Sequence, residues 1–342
     1  MSSAAGSGMM SNAVSGLAAR QSEVRRFLGP QAIEALHRPV PWLDRSLIVG
    51  LPLASLAIVW GCFQIDSWGW LMVMAIMQGI VLQWFGLFNH EYFVHRKVGG
   101  KWGHLLSMLF TAPIQLSATR YADAHWAHHE RVASEDDAEA YKRDLDSRFK
   151  KAVFMTFVGT RWAASGTMGR GRRPYFALRR PTPRALKRAR TEAALSLAIL
   201  AAAIVALFID PKAIMFGYLL PLLVVLPLLN AMRILVEHAE VQPDNSYSIA
   251  SRFRCGPVED WLFLFDAGEY HLIHHYLPNI PFYRMRAARA ALNGFFDGRN
   301  VEPTRSWVRL IRSWYLENRS HGSWWQDRAD RSAEPASIHR GT

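Results

Sequence analysis

Residues 69–89, GWLMVMAIMQGIVLQWFGLFN, form an uncharged and mostly apolar run, and the next residue is His90. About twenty such residues are what a helix needs to cross a bilayer core. Three more stretches match it: SLIVGLPLASLAIVWGCFQI (46–65), AALSLAILAAAIVALFID (193–210) and AIMFGYLLPLLVVLPLLNAM (213–232). Half of the 342 residues are hydrophobic and a fifth are charged, yet these four stretches are nearly free of charge. Buried helices of a water-soluble protein do not supply four segments of this kind. The sequence therefore predicts an all-α integral membrane protein with four transmembrane helices in two hairpins, joined to a helical cap.

Lys and Arg number 40 against 28 Asp and Glu, a formal charge of +12. The basic residues crowd the N-terminal segment, residues 120–192 and the C-terminal segment, and the short hairpin loops hold almost none. That asymmetry predicts cytoplasmic termini and a cytoplasmic cap. The basic stretch RGRRPYFALRRPTPRALKRAR (170–190) raises nucleic acid as a partner, but phosphate binding would leave the histidines unexplained. The N-terminus lacks a long apolar core, so no cleavable signal peptide is expected and the first span directs insertion. Cys62 and Cys255 provide neither a disulfide framework nor a CxxC cluster, which excludes a built-in rubredoxin or ferredoxin.

Nine of the thirteen histidines fall in four groups. HEYFVH (90–95) holds His90 and His95, HWAHHE (125–130) holds His125, His128 and His129, VEHAE holds His238, and HLIHH (271–275) holds His271, His274 and His275. In an HxxHH stretch the spacing i, i+3, i+4 places three imidazoles on one helix face, able to converge on one point. Nine imidazoles exceed the coordination of one ion, so at least two metals are implied. A zinc protease would need HExxH, whereas His90 and His95 are five apart. With four spans and both ends inside, every group lies on the cytoplasmic side and outside the spans, which argues against a transport path at the midplane. A non-enzymatic protein built on structural zinc is the other reading, and iron content separates it from a redox enzyme.

A separation of five puts side chains roughly 140° apart on a regular helix. His90 and His95 can then meet only if the helix stops there, with the glycines of HRKVGGKWG (95–103) as the stop. Ligating histidines usually donate their second N–H to a carboxylate. Glu91, Glu130, Asp136, Asp137, Glu237 and Glu269 are near enough in sequence to do so. HLLSMLFTAPIQLSA (104–118) and WLFLF (261–265) read as interfacial segments, with His104 a structural histidine beside apolar residues.

These features together resemble the membrane fatty acid desaturase superfamily, which also contains hydroxylases and ketolases. HEYFVHR is similar to its first histidine box, HWAHH to its second, EHAEV to its isolated histidine, and HLIHHYLPNIPFYRM to its third. The HHYLPNIPFYRM turn, with Pro278, Pro281, Phe282 and Tyr283, is most like the acyl desaturase branch. The resemblance implies a membrane domain over 45–295 between cytoplasmic tails at 1–44 and 296–342, in a bacterial inner membrane. It implies that His90, His95, His125, His128, His129, His238, His271, His274 and His275 hold two iron ions. Glu91, Asp137, Glu237 and Asn230 would support them. O2 would be the co-substrate, and desaturation of a fatty acyl or similar amphiphilic substrate the reaction, with hydroxylation or ketolation of a lipid or carotenoid as the alternative. No HPGG-type haem motif is present, so electrons must come from a separate ferredoxin- or cytochrome-type donor with its reductase. The basic residues 170–190, with Arg284, Arg286 and Arg289, are the expected docking surface.

Overall fold

A computed structural model describes residues 4–132, 137, 147–159, 177–179, 181–238, 241–242, 245–254, 256–263, 269–303 and 315; side chains are described from residue 16 onward, except those of 235, 236 and 238. Every extended element among them is a helix. Four are long and apolar enough to cross a membrane: α2 (Pro41–Gln64), α3 (Trp68–His95), α7 (Pro183–Ala206) and α8 (Pro211–Ile234). At 1.5 Å per residue, 24 residues give roughly 36 Å, enough for a hydrocarbon core of about 30 Å. The third helix begins ten residues before the apolar run, because Thr182 caps it by accepting the Ala185 N–H at 3.2 Å and Pro183 occupies its first turn.

The spans are not equivalent. In their most apolar windows α2 and α7 are 11% and 22% buried, whereas α3 and α8 are 56% and 50% buried. The inner pair is α3 and α8, with α2 packed on both and α7 packed on α8. Gly79 of α3 lies directly against the Val225 side chain of α8, where any Cβ would collide. This close approach requires glycine.

Toward the histidine-bearing end, the chain builds a cap. Helix α4 (Gly103–Thr111) exposes Leu105 and Leu109 while burying Met108 and Phe110, and a turn at Ala112–Gln115, which contains Pro113, ends it. Helices α5 (Ala118–Arg131), α6 (Arg148–Phe154), α9 (Pro257–Leu262), α10 (Glu269–Tyr276) and α11 (Met285–Asp297) follow. Of the WLFLF segment, Trp261 is exposed and packs edge-to-face on Trp84 of α3; Leu264 and Phe265 begin a stretch outside the described residues.

The segment ahead of the first span is itself a helix, α1 (Ala4–His37). Gly29, at φ 76° with Pro30 behind it, breaks α1 into two pieces. Leu17, Val24 and Leu36 join a core with Tyr270, Ile273, Tyr276, Leu292 and Phe295, so α1 is packed onto α10 and α11. Glu23 accepts the Tyr247 hydroxyl at 2.5 Å and pairs with Arg299 at 3.3 Å. The fully buried Arg252 donates to Asp297, Val301 and Asn293, tying the segment before α10 to α11.

Candidate metal centre

The helix α3 does not stop at the histidine pair; it widens. Asn89–His95 forms a π-helical turn, closed by the Arg96 N–H on the Glu91 carbonyl at 2.9 Å, an i to i+5 bond. The wider turn brings residues five apart back near one face. His90 and His95 therefore meet within the helix, with ring centroids 4.7 Å apart, and the expected break is not what joins them. Gly99, at φ 89°, ends the irregular segment four residues later.

The histidines sort into two groups of buried rings. Ring nitrogens of His90, His95, His125, His129 and His274 all lie within 4.8 Å of one another, and so do those of His128, His271 and His275. Each HxxHH helix serves both groups, so the three imidazoles of a box do not converge on one point. In α5 the i, i+4 pair His125 and His129 joins the five-membered group and His128 the three-membered one. In α10 the pair His271 and His275 joins the three, and His274 the five. Neighbouring residues on a helix point about 100° apart, so HxxHH divides between two adjacent sites. The groups abut: His128 and His275 have centroids 4.9 Å apart, and His129 and His275 4.5 Å.

The donor set fits a cation. His125 Nε2 lies 2.8 Å from Nε2 of His90, 2.9 Å from that of His95 and 3.0 Å from that of His129. One imidazole nitrogen offers a single lone pair or a single N–H and cannot bond to three others. Nitrogens bound to one ion at about 2.1 Å stand roughly 3 Å apart at neighbouring positions, the spacing seen here. Burial first, then the surrounding rings, hold His125 and His274 well below the usual histidine pKa, which keeps both in the neutral, ligating form.

Carboxylates flank the three-membered group. His128 donates from Nδ1 to Asp137 Oδ1 at 2.7 Å, leaving Nε2 as the lone-pair nitrogen. His271 Nδ1 stands 3.6 Å from Glu237 Oε1, which also accepts from Arg233 at 2.5 Å. Asn230 is half-buried on the same helix, one turn before Arg233. The other acids behave differently. Glu91 is buried but turned to Arg96 at 3.3 Å and to the Phe282 N–H at 2.9 Å. Glu269 is held by Arg252 at 3.3 Å, and burial pushes its carboxyl up against the pull of Arg252 and Arg289. Glu130 is exposed. Asp136 and the side chain of His238 lie outside the described residues, although the His238 backbone ends the helix that carries Glu237.

Two buried carboxylates were not singled out by the sequence reading. Asp44, in the first turn of α2, receives Arg96 at 2.6 Å, Tyr92 at 2.7 Å and Tyr283 at 3.2 Å. Glu192 in α7 accepts from His104 at 2.7 Å, Ser117 at 2.5 Å and the Thr119 hydroxyl at 2.6 Å, at the N-terminus of α5. His104 thus takes part in the contact between α4, the start of α5 and α7. The available signal was a lone acid at the edge of an apolar run, where an unpaired charge is costly and a partner is required. Beside Asp44, a cavity of about 500 Å³ is lined by His37, Pro41, Arg45, Arg96, Asn279 and His95.

Four membrane-spanning-length helices, together with two adjoining clusters of buried imidazoles at the end of α3 and on the cap helices α5 and α10, define a multi-histidine integral membrane protein. The fatty acid desaturase family model matches residues 67–307, most of the chain, and the protein belongs to that family. It is accordingly an oxidoreductase of desaturase or hydroxylase type. A search of curated proteins finds no matching relative.

Proposed function

We propose that the protein is an oxygen-dependent desaturase that introduces a double bond into a fatty acyl or similarly amphiphilic substrate at a di-iron centre. The observation that carries this reading is the pair of abutting histidine groups, each fed by both HxxHH helices. His90, His95, His125, His129 and His274 are assigned to one iron, and His128, His271 and His275 to the other, with His238 as the ninth ligand. When bound, the irons would supply O2 activation to an oxidant strong enough to take hydrogen from an unactivated carbon.

The chain's own residues prepare the site. Asp137 and Glu237 orient the rings of His128 and His271, and Asn230 is a further support from the same helix as Glu237. Burial excludes water that would compete for the ligand positions. On the side facing the spans, Phe85, Phe88, Phe110, Ile114 and Leu222 make an apolar cluster, and Phe282 of the IPFY turn packs against it. An apolar wall beside the first box suits a hydrocarbon chain. The cavity at His95 offers an opening to the same group. Holding two adjacent C–H bonds toward the site favours loss of a second hydrogen over oxygen transfer.

The cap and both termini are assigned to the cytoplasm, with residues 45–295 as the catalytic domain. Electrons come from a separate ferredoxin- or cytochrome-type protein and its reductase, docked on a basic surface that includes the exposed Arg286. The deciding experiment expresses the protein with a donor and reductase, feeds a chain-deuterated acyl substrate under labelled oxygen gas, and weighs the product. A product lighter by two deuteriums without the oxygen label is expected. A retained label identifies a hydroxylase or ketolase on the same centre.

A further inference from the structure

We propose that Asp44, in the first turn of α2 and outside the segment matched by the family model, is a positioning residue for the histidine centre; this rests on the metal-centre reading above. Its carboxylate is buried and fully engaged. Oδ2 takes Arg96 Nη2 at 2.6 Å, and Oδ1 takes the Tyr92 hydroxyl at 2.7 Å, the Tyr283 hydroxyl at 3.2 Å and Arg96 Nη1 at 3.3 Å. Four donors satisfy the lone-pair capacity of a carboxylate.

The donors are not scattered. Tyr92 and Arg96 belong to the π-helical turn and its cap, which hold His90 and His95. Tyr283 lies in the turn that follows the third box. Arg96 is shared between Asp44 and Glu91, and Glu91 accepts the N–H of Phe282, the neighbour of Tyr283. Two acids and one guanidinium thus clamp the first box to the turn behind the third. The start of the first span is the fixed post, since the Val40 N–H also donates to the Tyr283 hydroxyl at 2.8 Å. Arg96 directly follows His95, whose Nε2 stands 2.9 Å from that of His125. Release of Arg96 toward Glu91 alone would let the π-helical turn rotate, and the five-membered group would lose its shape while the three-membered group, which has no contact with Asp44 among the described residues, would keep its own.

The test uses the full-length protein in detergent, with Co2+ as the probe because its visible absorption reports coordination geometry. Wild type, Asp44→Asn, Asp44→Glu and Asp66→Asn are loaded, and metal per chain, spectrum and melting temperature are measured. Asp66 pairs with Lys212 at the exposed far end of the spans and serves as the control. The expected result is that Asp44→Asn keeps the three-histidine metal, binds the five-histidine metal at least about tenfold more weakly and shifts its spectrum. Asp44→Glu should recover part of the wild-type spectrum, and Asp66→Asn should match wild type. A lowered melting temperature with an unchanged spectrum means that Asp44 is only structural and overturns the proposal. Should Asp44→Asn fail to fold, Tyr283→Phe decides: a spectral shift in the same direction supports positioning, and none overturns it. A wild-type chain that takes up no Co2+ overturns the metal-centre reading, and this proposal with it.

Discussion

The two histidine groups are drawn from the same pair of HxxHH helices, yet they are supported in different ways. The five-membered group is crowded, with His125 in contact with three other rings, and the carboxylates of Asp44 and Glu91 act on it through Arg96, next in sequence to His95. The three-membered group has fewer rings and more outside help: Asp137 on His128, Glu237 beside His271, and Gln21 of α1 donating to the His275 carbonyl at 3.0 Å. Crowding fixes geometry through ring-to-ring packing, whereas a carboxylate fixes a single ring and its tautomer. Damage to the first group should therefore spread, and damage to the second should stay local.

Removing the hub of the crowded group is the harshest way to probe that contrast. His125→Ala should abolish product formation and empty the five-histidine site, as read by metal per chain; retained activity would mean that the site tolerates a gap at its centre. Asp137→Asn should act on the other group alone. By analogy with other outer carboxylates it should weaken metal there about 10–100-fold, measured by competition with a chelator, and leave the five-histidine metal in place. Glu237→Gln should act in the same direction but less, below about tenfold, because Glu237 stands 3.6 Å from His271 and is shared with Arg233. Equal losses for the two substitutions would erase the distinction between a bonded and a merely nearby carboxylate. Glu130→Ala, an exposed acid beside His129, should change neither metal content nor activity.

Local pattern made much of this legible. Span positions follow from apolar length, and eight of the nine expected ligands have described side chains, all of them in one of the two groups. What pattern could not supply are the features decided by contacts across the chain. The 100° step between adjacent histidines allows each HxxHH to divide, but which group takes the pair and which the single ring depends on how α5 and α10 face each other, and neither five-residue stretch encodes that. Asp44 and Tyr283 are 239 positions apart, so the clamp on the first box is invisible to any window. Glu192 reaches Thr119 across 73 residues for the same reason. The π-helical turn lies between these cases, because an apolar run followed by histidines five apart demands some irregularity without saying which. The packing of α1 on the third box was hidden by its composition, since only a few apolar residues such as Leu17, Val24 and Leu36 mark its buried side.

The π-helical turn at Asn89–His95 also sets a rule for insertions and deletions. Such a turn is an α-helical turn carrying one extra residue, so excising a residue between His90 and His95 would restore the regular spiral and leave the two imidazoles four apart, again on one face. The first box can thus change length by one and still present the same pair of rings. The HxxHH stretches have no such slack. One residue removed between His125 and His128, or between His271 and His274, would swing one histidine by about 100° and trade its site for the neighbouring one. Tolerance to length is therefore confined to the segment that leaves the membrane, and the two cap helices are locked in register.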